Sequence, residues 1–212
     1  MVFFITGGND NGKSEYAEDL VIKLSPRGRS AGYTRIYLAT MGARDEESLK
    51  RIKKHIFRRK DMEYITIEKS FDVGSIDITN IDISKTDTGK TDIRNTSIAD
   101  IANGSVKNVN EDKGGKRILL IEDIPNLLAG EMFKGTSFYP DIADKITADI
   151  MKLISACEHT VIVTNEVFSD GMIYDEYTTT YLREFGTINR KLAGYSDKVV
   201  ELVCGIPCIV KE

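Results

Sequence analysis

Residues 7–14 read Gly7-Gly8-Asn9-Asp10-Asn11-Gly12-Lys13-Ser14, which matches the pattern GxxxxGK[ST]. Glycines at these positions let backbone amides turn inward around phosphate oxygens. Lys13 would reach the β- and γ-phosphates, and the Ser14 hydroxyl would hold Mg²⁺. Asp10 is out of character, since a carboxylate in such a loop repels phosphate unless it points outward or meets a cation. A phosphate loop needs a second acid at the end of a buried strand to order Mg²⁺ and its water. Glu122, closing the run Ile118 to Glu122, is the candidate, with Asp123 beside it. A third group is His55. It shares one helical face with Glu47, Arg51 and Arg59 at i, i+4 spacing, and Lys54 and Arg58 lie nearby. Nearby cations disfavour imidazolium and keep the ring in its nucleophilic form, although a histidine on a charged face is more often inert. His159, the only other histidine, reads as a helix-end cap.

The elements that must position these groups follow from periodicity. VFFIT at 2–6 is an apolar, β-branched strand that runs straight into Gly7-Gly8, and the helix after the loop carries Tyr16, Ala17, Leu20, Val21 and Leu24. The helix dipole adds its positive end to the phosphate site. Further strands are expected at 35–40, 63–67, 117–122, 160–165, 199–203 and 207–210, and helices at 46–60, 141–156 and 174–193. Short apolar runs alternating with helices predict an α/β domain with a mainly parallel sheet flanked by helices.

One stretch breaks the pattern. From Ile76 the chain reads IDITN, IDISK, TDTGK, TDIRN, with Asp77, Asp82, Asp87 and Asp92 in step. One coil of a pentapeptide-type β-helix has no neighbour to stack on. The expectation is therefore a single domain, 1–212, carrying a polar, expanded insertion taken as 72–116.

Composition bounds the partners. The chain has 212 residues, 29% charged, and a net charge of −4. That length supports one sizeable core. An acidic balance argues against nucleic acid as a ligand, because phosphate neutralisation needs a basic surface. No stretch approaches the ~20 apolar residues of a membrane span. Three scattered cysteines with no CxxC suit a reducing, cytoplasmic setting.

These motifs, in this order, resemble a known family. TGGNDNGKSEYAED resembles its TGGxRSGKSxxAE opening, and IYLATMGARDEESLKRIKKHIFRR its YIATxxxxDxEMxxRIxxHxxxR stretch. Tyr64, Thr66 and Glu68 resemble its WxTxE, and VTNEV at 163–167, Gly186 with Asn189, and Gly205-Ile206-Pro207 complete the likeness. The family is that of bifunctional adenosylcobinamide kinases / adenosylcobinamide-phosphate guanylyltransferases of cobalamin biosynthesis. Taken with the phosphate-loop motif, this likeness makes the expected fold a P-loop NTPase domain of RecA-like type. The resemblance implies a nucleotide site built from residues 7–14, from Thr40, Met41 and Gly42, from Ile56, Phe57, Arg58 and Arg59, and from Glu68 and Glu122. It implies that His55 becomes guanylylated, that GTP and ATP are substrates with Mg²⁺, and that adenosylcobinamide is the acceptor. It also implies a homo-oligomer, by likeness a trimer.

The sequence departs from the family at several points. Asp10 and Asn11 replace an Arg and a Ser of the loop, Lys60 a Pro, and Tyr64 the Trp. Pro125 and Gly130 replace a Thr and an Asn, and 168–173 replace GxGIVP. These bear on the corrinoid pocket and nucleotide preference more than on the fold, and they permit loss of one activity. Two other readings stay open. One is a different P-loop small-molecule kinase or NTPase in which His55 only binds phosphate. The other is a non-catalytic GTP-binding relative.

Overall fold

The computed structural model describes residues 1–42, 46–81, 115–169 and 171–212. Among the described residues the main sheet has seven strands. In chain order these are β1 (Val2–Gly7), β2 (Tyr33–Ala39), β3 (Tyr64–Glu68), β4 (Lys116–Glu122), β7 (His159–Val163), β8 (Lys198–Val203) and β9 (Ile206–Lys211). A two-stranded ribbon of β5 (Phe133–Lys134) and β6 (Ser137–Phe138) stands apart. The sheet order is β3-β2-β4-β7-β1-β8-β9, parallel throughout except for β9, which returns antiparallel on β8. One strand, β7, therefore separates the strand entering the phosphate loop from the strand ending in Glu122. The helices are α1 (Lys13–Leu24), α2 (Glu46–Arg58), α3 (Ile124–Met132), α4 (Ala143–Ser155) and α5 (Glu176–Tyr195). This is the expected α/β architecture, a mainly parallel sheet flanked by helices, with the phosphate loop between β1 and α1. No described helix is long and apolar enough to cross a membrane.

The central strands are apolar on both faces because both faces are covered. Their side chains alternate between two cores. Val2, Phe4, Ile36, Leu38, Leu119 and Ile121 face one layer with α3, α4 and α5. Phe3, Ile5, Tyr37, Tyr64, Ile118 and Leu120 face the other with Ala17 and Val21 of α1. Period-two alternation then assigns the strand ends. Glu122 follows Ile118 and Leu120 onto the α1 side, and Thr66 and Glu68 follow Tyr64. The chemistry is thus brought to one face before any loop is considered.

The expectations for the strands and longer helices hold, with ends moved by one or two residues. Three differences have physical reasons. Helix α3 was not expected, because its apolar residues surround it instead of forming a stripe; Ile124, Leu127, Leu128 and Met132 are all fully buried. It starts on Asp123, whose carboxylate accepts from the Asn126 amide at 3.0 Å, with Pro125 in the first turn. His159 does not cap a helix; it opens β7 in register with Ile118. Residues 72–81, at the head of the segment read as polar, put Val73 and Ile78 into the core at 1% and 3% exposure. The repeats from Asp82 onward lie outside the described residues.

Candidate active site

The phosphate loop leaves β1 through Gly7, whose φ is +141°. A Cβ there would sit 2.5 Å from both the Leu202 carbonyl oxygen and the Asn11 side chain, so only glycine fits. Asn11 spends its amide on that same carbonyl, tying the loop to β8. Asn9 and Asp10 are exposed, and Asp10 is left-handed with φ +51°. The carboxylate that looked hostile to phosphate is therefore exposed to water, while its charge still reaches Lys13. Gly8 and Gly12 flank it, and Lys13 folds back so that its ammonium donates to the Gly8 carbonyl. Burial pushes the Lys13 pKa down, while Asp123, Glu122 and Asp10 oppose that shift.

Glu122 is the hub. Its Oε1 accepts from the Ser14 hydroxyl and its Oε2 from the Tyr37 hydroxyl at 2.6 Å. His55 Nδ1 lies 3.6 Å from the same Oε2. The Ser14 hydroxyl and this carboxylate are hard oxygen donors in direct contact, the set a Mg²⁺ ion accepts beside water and phosphate oxygens. Glu18, His55 and Glu122 also offer ligand atoms within 4.8 Å of one another. Both Glu18 oxygens are already taken, however, since Arg58 donates Nε to Oε2 at 2.5 Å and Nη2 to Oε1 at 2.8 Å. The Ser14–Glu122 pair is the better fit to a metal.

His55 is half-buried at the end of α2. Burial lowers its pKa; Glu122 pulls the other way, and Arg58 and Arg59 reinforce the lowering. The neutral ring expected from the sequence is thus favoured, with burial ahead of the neighbouring cations as the cause. Arg58 Nη2 stands 3.3 Å from His55 Nδ1, and Arg58 Nη1 also pairs with Glu15 at 2.6 Å. Arg59 turns inward just past the helix and is only 3% exposed. Its guanidinium lies 3.3 Å over the Tyr37 ring, its Nε donates to the His55 carbonyl at 3.1 Å, and its Nη1 has no acceptor among the described residues.

The other expected site residues fall around this hub. Thr40 is fully buried and clamps the strand end, its hydroxyl donating to the Asp123 carbonyl at 2.6 Å and accepting from the Asp123 amide at 2.8 Å. Met41 and Gly42 follow at the carboxyl edge, half-buried. Ala39 is in register with both Glu68 and Glu122, so the two acids share a level with one strand between them, about 10 Å apart by strand spacing. Glu68 is exposed on the edge strand. Ile56 is half-buried, whereas Phe57 is 82% exposed and is not brought to Glu122 by any described contact. The side chains of Glu47 and Arg51 lie outside the described residues. From the far side, the Asn189 side chain of α5 accepts from the Thr164 hydroxyl at 2.8 Å, and the Glu166 amide donates to the Gly7 carbonyl at 3.0 Å. The VTNEV segment thereby buttresses the loop.

Two residues carried no assigned role in the sequence. Glu18 was legible only as an acid on the buried face of α1, beside Ala17 and Val21. Tyr37 lay inside an apolar strand, where its parity with Ala39 and Glu122 was the available signal.

A sequence profile of the cobinamide kinase / cobinamide phosphate guanyltransferase family matches residues 3–85 and 96–210. The bifunctional adenosylcobalamin biosynthesis protein CobU of Escherichia coli (strain K12) is 27% identical over 223 residues, covering 100% of both chains. Among solved structures, a KaiC-like protein from Pyrococcus horikoshii OT3 aligns with 94% of this chain and 71% of its own, at 13% identity and a TM-score of 0.38. The profile runs through the phosphate loop, His55 and Glu122 alike and leaves only 86–95 between its two segments, so this chain belongs to the cobinamide kinase / cobinamide phosphate guanyltransferase family.

Proposed function

We propose that this chain phosphorylates adenosylcobinamide and then transfers GMP to the product, using one nucleotide site for both steps. The observation that carries the reading is the meeting of Ser14, Glu122 and His55. A phosphate-loop hydroxyl and a histidine from a separate helix converge on one carboxylate. A simple P-loop kinase has no need of the histidine.

In the kinase step the acceptor hydroxyl of adenosylcobinamide attacks the γ-phosphorus of ATP or GTP. The nucleoside diphosphate leaves and the hydroxyl proton is lost. Inward-facing amides of Gly8 to Ser14 hold the phosphate chain, and Lys13 swings from the Gly8 carbonyl to neutralise developing charge. Ser14 and Glu122 would hold Mg²⁺, which supplies charge neutralisation between the phosphates.

In the transfer step neutral His55 attacks the α-phosphorus of GTP and pyrophosphate leaves. The phosphate of adenosylcobinamide-phosphate then displaces the imidazole, giving adenosylcobinamide-GDP and free His55. Splitting the displacement through a covalent intermediate replaces one hard step with two easier ones. Buried Arg59, with an uncommitted Nη1, is the cation available to the α-phosphate; Arg58 is held by Glu15 and Glu18.

The test is incubation with α-labelled GTP and Mg²⁺ followed by denaturing electrophoresis. The expected result is acid-labile label on wild type and none on His55→Ala. Folded wild-type protein that takes no label would overturn the transferase half and leave a P-loop kinase. Lys13→Ala tests the other half: unchanged phosphorylation of adenosylcobinamide would remove the phosphate loop from the reaction.

A further inference from the structure

His55 Nδ1 has two competing neighbours. Glu122 Oε2 at 3.6 Å, just beyond hydrogen-bond distance, is an acceptor whose charge favours a proton on Nδ1. Arg58 Nη2 at 3.3 Å is a donor and favours a bare Nδ1, but its shorter bond, 2.8 Å, goes to Glu18 Oε1. The outcome decides the chemistry, because an imidazole attacks only through its unprotonated nitrogen. If Arg58 prevails, Nδ1 is blocked by the guanidinium and Nε2 carries the proton. If Glu122 prevails, Nε2 is bare and directed away from the acid. The tautomer of a catalytic histidine is set by the hydrogen bond at its other nitrogen.

What holds Glu122 Oε2 in this contest is Tyr37. Its hydroxyl donates to that oxygen at 2.6 Å. The ring is itself immobilised, 3% exposed, with the Arg59 guanidinium 3.3 Å over one face and Tyr64 packed edge-on at 5.9 Å between centroids. The other carboxylate oxygen depends on Ser14, a hydroxyl that the phosphate-loop reaction itself requires. When Ser14 turns to the nucleotide, Tyr37 still holds Oε2.

We propose that Tyr37 is a positioning residue. It fixes Glu122 so that His55 keeps its proton on Nδ1 and presents a bare Nε2 to phosphorus. The catalytic consequence rests on the guanylylation reading above; the tautomer does not.

Tyr37→Phe removes only the hydroxyl and leaves the ring under Arg59. The chain has two histidines, so imidazole nitrogen resonances at about pH 8, where the ring is neutral, can be assigned by the signal lost in His55→Gln. Wild type is expected to show the proton on Nδ1. Tyr37→Phe, and separately Glu122→Gln, should shift His55 toward the Nε2-protonated form. Labelling by α-labelled GTP should slow by about 10- to 100-fold in Tyr37→Phe, with an unchanged GTP dissociation constant. The double variant should be no slower than Glu122→Gln alone, since the hydroxyl acts through that carboxylate. An Nε2-protonated ring in wild type, an unshifted tautomer in Tyr37→Phe, or losses that multiply in full in the double variant would overturn the proposal. Absence of label on wild type would overturn the guanylylation reading, while the nitrogen spectra would still decide the role of Tyr37.

Discussion

Arg58 of α2 grips Glu18 of α1 with two prongs, Nε on Oε2 at 2.5 Å and Nη2 on Oε1 at 2.8 Å. Glu18 is 1% exposed, and burial raises its pKa against the pull of the guanidinium. The pair joins the helix that follows the phosphate loop to the helix that carries His55. Removing one partner of a buried pair strands the other. Arg58→Ala should therefore cost about 3 kcal/mol in urea unfolding and slow His55 labelling as α2 loosens. Glu18→Gln keeps the shape and removes the buried charge, so it should cost less. Equal stability of Arg58→Ala and wild type would show that α2 docks by other contacts.

Glu131 gives the pH dependence of folding a defined sign. Its carboxylate, 2% exposed, takes Lys134 at 2.6 Å, Lys145 at 2.5 Å and the Asp72 amide at 2.5 Å, joining α3 and α4 to the segment after β3. Burial pushes its pKa up, but these partners outweigh burial and the net shift is down. A carboxylate with a depressed folded pKa contributes stability that is complete above its unfolded value, about 4.3. The contribution is lost as pH falls through the folded value. Glu131→Gln should be roughly 2 kcal/mol less stable than wild type near neutrality. That gap should close as unfolding is measured at pH values progressively below about 4. A gap independent of pH would assign the loss to packing.

The sequence made the residues of the candidate site legible because strand parity and helical spacing are local properties. Lys13, Ser14, His55 and Glu122 could be named from motif and resemblance, and period-two alternation accounts for Glu122 and Glu68 sharing a face. What could not be read were contacts between elements distant in the chain. Glu18 meets Arg58 across 40 residues and Tyr37 meets Glu122 across 85. Helix α3 was missed for another reason: a helix buried all round has no amphipathic stripe, and only its Asp123–Pro125 start betrayed it. Phe57 and Arg59, adjacent but for one residue, were read as one nucleotide-contacting run. The end of α2 at Arg58 separates them, sending Phe57 to solvent and Arg59 inward over the Tyr37 ring.

Gly130 stands where the resembled family has an Asn, which read as a lost functional residue. The structure gives it a packing reason. A Cβ at 130 would lie 2.0 Å from the Ser70 carbonyl oxygen and 2.9 Å from its carbon. Both are backbone atoms, so nothing flexible can yield. Gly130→Ala improves intrinsic helix propensity by about 1 kcal/mol, yet it should destabilise by about 1–3 kcal/mol through overpacking. Thermal unfolding of the alanine variant measures the balance. A rise in Tm would mean that α3 and the segment after β3 separate without cost.

Asp10 is where an electrostatic expectation meets a specific geometry. It is exposed and left-handed within the phosphate loop. A charge there acts on a bound triphosphate through water, not through a low-dielectric contact. At roughly 8–10 Å in high dielectric, one unit charge against another is worth about 0.4–0.5 kcal/mol. Asn tolerates the same backbone conformation, so Asp10→Asn isolates the charge. GTP should bind about two-fold tighter to the variant in low salt, and the advantage should fade once the Debye length falls to about 3 Å near 1 M salt. Titration at two ionic strengths checks both parts. Weaker binding by Asp10→Asn would reverse the assignment, making the carboxylate a ligand-side group that meets phosphate through a cation.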